Sequence, residues 1–142
     1  MRIENAAPYR QQIIDLLAAN NLPFGDLPDN LQNFLVALNN SSVVGSIGIE
    51  EYGGYGLLRS LAVDKAFRDK KIGNELLQEI EALAISKNLT GIYLLTETAP
   101  EYFKRYGYGV IDRNDIPVAI QASSEFSHVC PVSAIAMKKD LK

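Results

Sequence analysis

Between Leu57 and Leu95 the spacing of apolar side chains changes twice, and this double change restricts the chain to a small set of folds. Leu57 to Val63 has the length and composition of a strand. From Ile72 onward, Ile72, Leu76, Ile80 and Leu83, with Leu77 and Ala84 beside them, form a stripe at helical spacing, roughly four turns long. Asn88 and Gly91 end that helix. Ile92-Tyr93-Leu94-Leu95 follows as a short continuous apolar run, the pattern of a strand covered on both faces after a crossover helix. Strand, helix and strand make one βαβ unit, right-handed like nearly all such crossovers.

The rest of the chain reads as elements built around that unit. After a short Arg2-Ile3-Glu4 segment, Pro8 opens a helix whose buried stripe is Ile13, Leu16 and Leu17, stopped before Leu22-Pro23. Phe24 to Asn30 is rich in turn formers and reads as a loop placed to lie over a substrate pocket. Phe34–Leu38 and Val43–Ile49 form an antiparallel hairpin about Asn39–Ser42, and Gly53-Gly54 turns the chain into the Leu57 strand. A second helix is expected from Pro100 to Tyr106, stopped by Gly107, then Tyr108–Ile111, then a last strand Val132–Met137 before a basic tail. An antiparallel meander with one parallel crossover gives an α/β or α+β class. With 142 residues and no internal repeat or long linker, a single domain spanning 1–142 is expected.

Composition removes several function classes. A net charge of -3 and a pI near 5.1 oppose nucleic-acid binding, which draws its affinity from many Lys and Arg on phosphates. Cys130 is the only cysteine and His128 the only histidine, so an intrachain disulfide, a thiolate metal cluster and a His-His metal pair are all excluded. Cys130 reads as a structural thiol rather than a nucleophile. Met1 to Pro8 has no apolar signal core, and no run reaches membrane-spanning length, so neither a membrane partner nor export is expected and a cytoplasmic location is.

Chemistry gathers between Asp64 and Asn74, in Lys65-Ala66-Phe67-Arg68-Asp69-Lys70-Lys71-Ile72-Gly73. A helix starting near Ile72 presents unpaired N–H groups and about half a unit of positive charge at its N-terminus, which stabilises an anion. Arg68, Lys70 and Lys71 add cations at the same place, and Gly73 lets a ligand approach the backbone. This is a cradle for phosphate or pyrophosphate, or else a solvated basic turn. Neither G-x-x-x-x-G-K-[ST] nor G-x-G-x-x-G occurs in it, so it is neither a nucleotide P-loop nor a dinucleotide fingerprint.

The order of elements, with Leu58-Arg59-Ser60-Leu61-Ala62-Val63, Arg68-x-x-x-x-Gly73 and Tyr102-Phe103-Lys104-Arg105-Tyr106-Gly107-Tyr108, resembles the GCN5-related N-acetyltransferase (GNAT) superfamily over nearly the whole chain. Leu58 to Tyr108 and the ending Ala122–Phe126 through Cys130–Ala134 are similar to the small arsenic-resistance N-acetyltransferases. The resemblance implies a mixed, mostly antiparallel sheet of six or seven strands with a central βαβ crossover and helices on both faces. It also implies acetyl-CoA as cofactor and direct transfer of its acetyl group to a small-molecule amine in a ternary complex, by a monomer or homodimer. Leu61, Ala62 and Val63 match the strand that pairs with the pantetheine arm. Arg68, Asp69, Lys70, Lys71, Ile72, Gly73 and Asn74 match the pyrophosphate loop. Thr96 takes the place of an Asn that faces the cofactor, and Ala99 that of a small residue nearby.

Two positions depart from the family pattern. Lys71 stands where the loop normally has its first glycine. Phe103, also at the cofactor, stands where many relatives have the Tyr that protonates the departing thiolate, and a phenyl ring has no proton to give. Tyr102 and Tyr106 flank it, with Tyr102 the substitute acid if the helix is turned; otherwise both pack the helix with their hydroxyls at the surface. Amines are mostly protonated at neutral pH, so a base or water relay is needed, and Glu50 and Glu51 are the candidates. Backbone amides near Val63 are the expected oxyanion donors. His128 and one of Arg59 or Ser60 are expected to meet the acceptor, since strand neighbours face opposite ways. A catalytically weak CoA-binding sensor and a lysine or N-terminal protein acetyltransferase are the competing readings.

Overall fold

The computed structural model describes residues 1–122 and 134–141, with Asp69 and Lys70 described by their backbone alone, and these residues form seven strands and four α-helices. In chain order they are β1 (Arg2–Asn5), α1 (Arg10–Ala19), β2 (Phe34–Asn39), β3 (Ser42–Tyr52), β4 (Tyr55–Val63), α2 (Ile72–Ser86), β5 (Gly91–Thr96), α3 (Pro100–Lys104), β6 (Gly109–Ile111), α4 (Val118–Gln121) and β7 (Ile135–Asp140). The sheet runs β1-β2-β3-β4-β5-β7-β6. Every neighbouring pair is antiparallel except β4 and β5, the two strands of the crossover through α2. The mixed, mostly antiparallel sheet expected from the sequence is therefore present, with seven strands.

Alternation along the strands sorts the core onto two faces. Phe34, Val36 and Leu38 pack with Ile13, Leu16 and Leu17 of α1, whereas Leu35 and Ala37 join Ile72, Leu76, Leu77 and Ile80 of α2. Leu58 belongs to the α2 side, and its neighbour Leu57 turns the other way to meet Tyr93, Ile116, and Ile120 of α4. Helices thus cover both faces. Close packing of β2 on β3 depends on Gly48, which pairs with Phe34: a Cβ there would come within 2.3 Å of the Phe34 ring, itself 1% exposed. Gly48→Ala is expected to cost about 1–3 kcal/mol through overpacking, read as a lower denaturant midpoint at unchanged slope.

The structure differs from the sequence reading at both ends of the sheet. Arg2–Asn5 is a full edge strand on β2 rather than an unassigned segment. The last strand continues to Asp140, so the supposed basic tail at Lys138 and Lys139 is paired strand; Val132 and Ser133 lie outside the described residues. Lys139 stays in the ladder because its ammonium meets Glu81 at 3.1 Å, satisfying a half-buried cation from α2. The segment after Asp112 holds a 3-10 turn (Arg113–Asp115) and α4, both too short to show a period in sequence.

Candidate active site

The parallel contact between β4 and β5 is brief. Tyr55–Leu57 pair with Gly91–Tyr93, but β4 then runs on to Val63 without a partner on that side, while β5 is held by β7. The strands separate, and a cleft opens at their carboxyl ends, where sheets with parallel strands receive ligands. One cavity of about 810 Å³ reaches Asn21, Arg59, Ser60, Thr96 and Glu97; a second of about 540 Å³ reaches Ala62, Val63, Arg68, Lys71, Gly73 and Asn74. Asn20, Leu61, Ala99 and Tyr102 line both, so they form the waist of one cleft.

The smaller end is electropositive and rich in free backbone donors. Residues 65–70 form a 3-10 helix whose first turn is capped by Asp64, its carboxylate accepting from the Ala66 N–H at 2.9 Å. Asp69 and Lys70 fall in this turn. Lys71 then takes the left-handed conformation, φ 61° and ψ 22°, and α2 starts with no side chain capping it. The sequence places Lys where glycine would hold this conformation without strain; Lys71 holds it at a cost of about 1 kcal/mol and keeps a cation on the cavity wall. Arg68 donates from Nε to the Val63 carbonyl at 3.3 Å and from Nη2 to Asn20 Oδ1, tying the cradle to the end of α1. Gly73 leaves room for Tyr102: a Cβ there would sit 3.3 Å from its hydroxyl. The 15 residues of α2 supply a full helix dipole behind these amides.

Residues 30–110, more than half of the chain, match the family model described as the Acetyltransferase (GNAT) domain. The chain belongs to the GNAT acetyltransferase family. An uncharacterised N-acetyltransferase of Chlorobaculum tepidum is 32% identical to it over 93 residues, 65% of this chain and 59% of that protein's length. Among solved structures, a GNAT-family acetyltransferase from Staphylococcus aureus Mu50 superposes with TM-score 0.81 at 24% identity, covering 99% of each chain. The N-acetylglutamate synthase of Neisseria gonorrhoeae, solved with coenzyme A and N-acetyl-glutamate, superposes with TM-score 0.82 at 14% identity, covering 99% of this chain and 35% of that one. At these identities the structures establish a shared GNAT fold.

Within this GNAT cleft, Tyr102 occupies the waist. Its hydroxyl donates to Asn74 Oδ1 at 2.9 Å, so it meets the first turn of α2 instead of the surface. Burial, helped by Tyr106 and Glu81 and opposed by Arg105, pushes its phenol up to about 12. Phe103 is 6% exposed and stacks edge-on between Tyr102 and Tyr108, an apolar wall of the larger cavity. Thr96 accepts the Ala99 N–H on its hydroxyl at 3.1 Å and shapes the turn that leads into α3.

Arg59 and Ser60 both line the larger cavity, which corrects the expectation that only one would. The reason is a bulge: Ser46 pairs with Ala62 and Gly48 with Arg59, so one residue of β3 faces two of β4, and Ser60 turns left-handed at φ 61°. Alternation fails at that residue. The Ser60 carbonyl accepts from Ser46 Oγ at 2.7 Å, which pins the bulge. The two glutamates separate as strand neighbours do. Glu50 meets Arg59 at 3.4 Å and accepts from the Tyr52 hydroxyl at 2.9 Å, whereas Glu51 accepts from Asn33 at 3.1 Å and faces Lys87 at 3.7 Å. His128 and Cys130 lie outside the described residues.

Three residues to which the sequence reading gave no role of their own complete the site. Asp26 grips Arg59 with both oxygens, at 2.7 and 2.8 Å. Asn20, the residue ending α1, reaches the waist. Glu97 follows Thr96, the last residue of β5; the rule that ligands lie beyond the carboxyl ends of parallel strands was the available signal for it.

Proposed function

We propose that this protein transfers the acetyl group of acetyl-CoA to the amine of a small molecule within a ternary complex, in the cytoplasm and as a single-domain monomer or homodimer. The observation that carries the reading is the open, cation-flanked first turn of α2 at one end of a cleft that continues past a waist into a second cavity. Those residues fit a diphosphate: uncapped amides, Arg68 and Lys71 on the wall, and no side chain at Gly73. Leu61, Ala62 and Val63 line the same wall and suit the pantetheine arm. The N-acetylglutamate synthase solved with coenzyme A supports this use of the fold, and the motif likeness to arsenic-resistance acetyltransferases supports a small acceptor.

When bound, acetyl-CoA supplies an activated thioester, so that amine attack forms a C–N bond, breaks the C–S bond and releases one proton. Glu50, held behind the cavity wall by Arg59 and Tyr52, takes that proton through water; Glu51, turned toward Lys87, does not. Tyr102 works as a hydrogen-bond donor at the waist rather than as a full acid. A phenol near 12 delivering its proton to a thiolate of ordinary pKa, about 8.5, would run uphill by roughly 5 kcal/mol. Donation without transfer remains favourable once the hydroxyl turns from Asn74 Oδ1 to the thiolate, and solvent completes the protonation.

Tyr102→Phe is expected to lower kcat by about 10–100-fold, the weight of one hydrogen bond to a charged group. Coenzyme A affinity should change little. With the phenol near 12, the pH profile between 6 and 10 should keep its shape in the variant. Steady-state thiol release over that range is the measurement; an alkaline limb that vanishes with the hydroxyl would instead make Tyr102 a titrating acid. For the assignment as a whole, calorimetry with acetyl-CoA and an amine panel decides, and absence of both uptake and thiol release refutes it.

A further inference from the structure

We infer that the acceptor end of the cleft selects an amine carrying a second positive charge and rejects one carrying a carboxylate. This rests on the acetyl-transfer reading above and adds the chemical class of its acceptor. Among the described residues, the charged side chains lining the larger cavity are Arg59 and Glu97. At first sight they cancel. Arg59, however, is already neutralised from behind. Its side chain is 1% exposed; Asp26, 13% exposed, takes it with two oxygens, and Glu50, 17% exposed, adds a third contact at 3.4 Å.

The guanidinium is also committed geometrically. Nε donates to Ser60 Oγ at 3.1 Å, Nη1 to Asp26 and Glu50, and Nη2 to Asp26 at 2.7 Å. An acceptor carboxylate could reach Arg59 only by displacing Asp26 from a buried bidentate pair, which is among the stronger polar contacts a protein makes. It would then leave two native carboxylates uncompensated nearby. Arg59 therefore serves the acceptor pocket as an internal strut and not as a carboxylate receptor.

The formal charge around the acceptor end follows from these four groups: Arg59 contributes +1 and Asp26, Glu50 and Glu97 each −1, which leaves −2. Glu97 is exposed and has no ion pair among the described residues, so its charge faces whatever enters. The other polar lining groups, Asn20, Asn21, Ser60, Thr96, Thr98 and Tyr102, are neutral. The cations Arg68 and Lys71 line the opposite end, where the diphosphate occupies them. A cationic group on the acceptor is attracted at close range in a partly desolvated cleft, and a carboxylate is repelled by the same field.

The test uses three acceptors of equal reach that differ only at the far end: 1,4-diaminobutane, 4-aminobutanamide and 4-aminobutanoate. Binding of each to the full chain is measured by calorimetry with and without saturating coenzyme A, and transfer is measured separately as thiol release from acetyl-CoA. The expected order is diamine, then amide, then acid, with at least about tenfold between the charged ends, and Glu97→Gln should narrow that gap. Equal binding of the three, preference for the acid, or no binding of any overturns the charge assignment. Ordered binding without thiol release leaves the charge assignment standing and overturns the transfer reading instead.

Discussion

Gly73→Asp is expected to weaken coenzyme A binding by about a thousandfold while the protein stays as stable as the parent. The two halves of this result come from opposite effects of one charge. Gly73 lies in the uncapped first turn of α2, where a carboxylate interacts favourably with the helix dipole and contributes a few tenths of a kcal/mol to folding. There is nearly room for it, because a Cβ would meet only the Tyr102 hydroxyl at 3.3 Å and Val63 at 3.7 Å. The same carboxylate sits where the proposed diphosphate site lies, and two like charges about 4 Å apart near a protein surface repel by about 4 kcal/mol, which is close to a factor of a thousand. Calorimetry for the ligand and thermal unfolding for the protein separate the two effects. A loss of less than tenfold would move the diphosphate away from α2. A loss accompanied by collapse of the fold would mean that the turn is structural.

The crossover and its cradle were legible because they rest on local signals. Ile72 to Ala84 repeat at helical spacing, the basic residues cluster in the turn just before them, and a helix N-terminus favours anions. What could not be read depends on tertiary register. Ser60 is an ordinary strand residue until the β3 pairing requires two residues of β4 against one of β3; the left-handed turn there brings Arg59 and Ser60 to one cavity. Tyr102 reads in sequence either as a substitute acid or as a packing residue, and only the approach of α3 to the first turn of α2 gives its hydroxyl a partner in Asn74. Asp26 was hidden in a segment of turn formers, since nothing local marks a carboxylate that pairs with a residue 33 positions away. Lys71 is the converse case, where the departure from glycine was visible but the backbone took the left-handed conformation regardless.

Arg59→Leu is expected to destabilise the protein by about 3–5 kcal/mol, the usual cost of breaking a buried ion pair by removing one member. For a chain of this size that corresponds to a fall in Tm on the order of 10 °C. Leucine is close to arginine in bulk, so the loss is not mainly a cavity effect. It arises because Asp26 and Glu50, 13% and 17% exposed, are left as two partly desolvated carboxylates without a cation between them. Arg59→Lys should fall between the two, since an ammonium restores the charge but cannot form the two-pronged contact with Asp26. The damage should be local at first. Residues 22–33 would lose the Asp26 anchor but keep Arg10, whose guanidinium holds the carbonyls of Leu27 and Pro28 at 3.2 and 2.6 Å, and the buried side chains of Leu27 and Leu31. Hydrogen exchange should therefore rise in that segment before it rises in β3 and β4. A variant within about 1 kcal/mol of the parent would show that the pair is solvated and does not hold the acceptor wall. In the folded fraction, loss of the strut takes the formal charge of the acceptor end from −2 to −3, so preference for the diamine should sharpen even as stability falls.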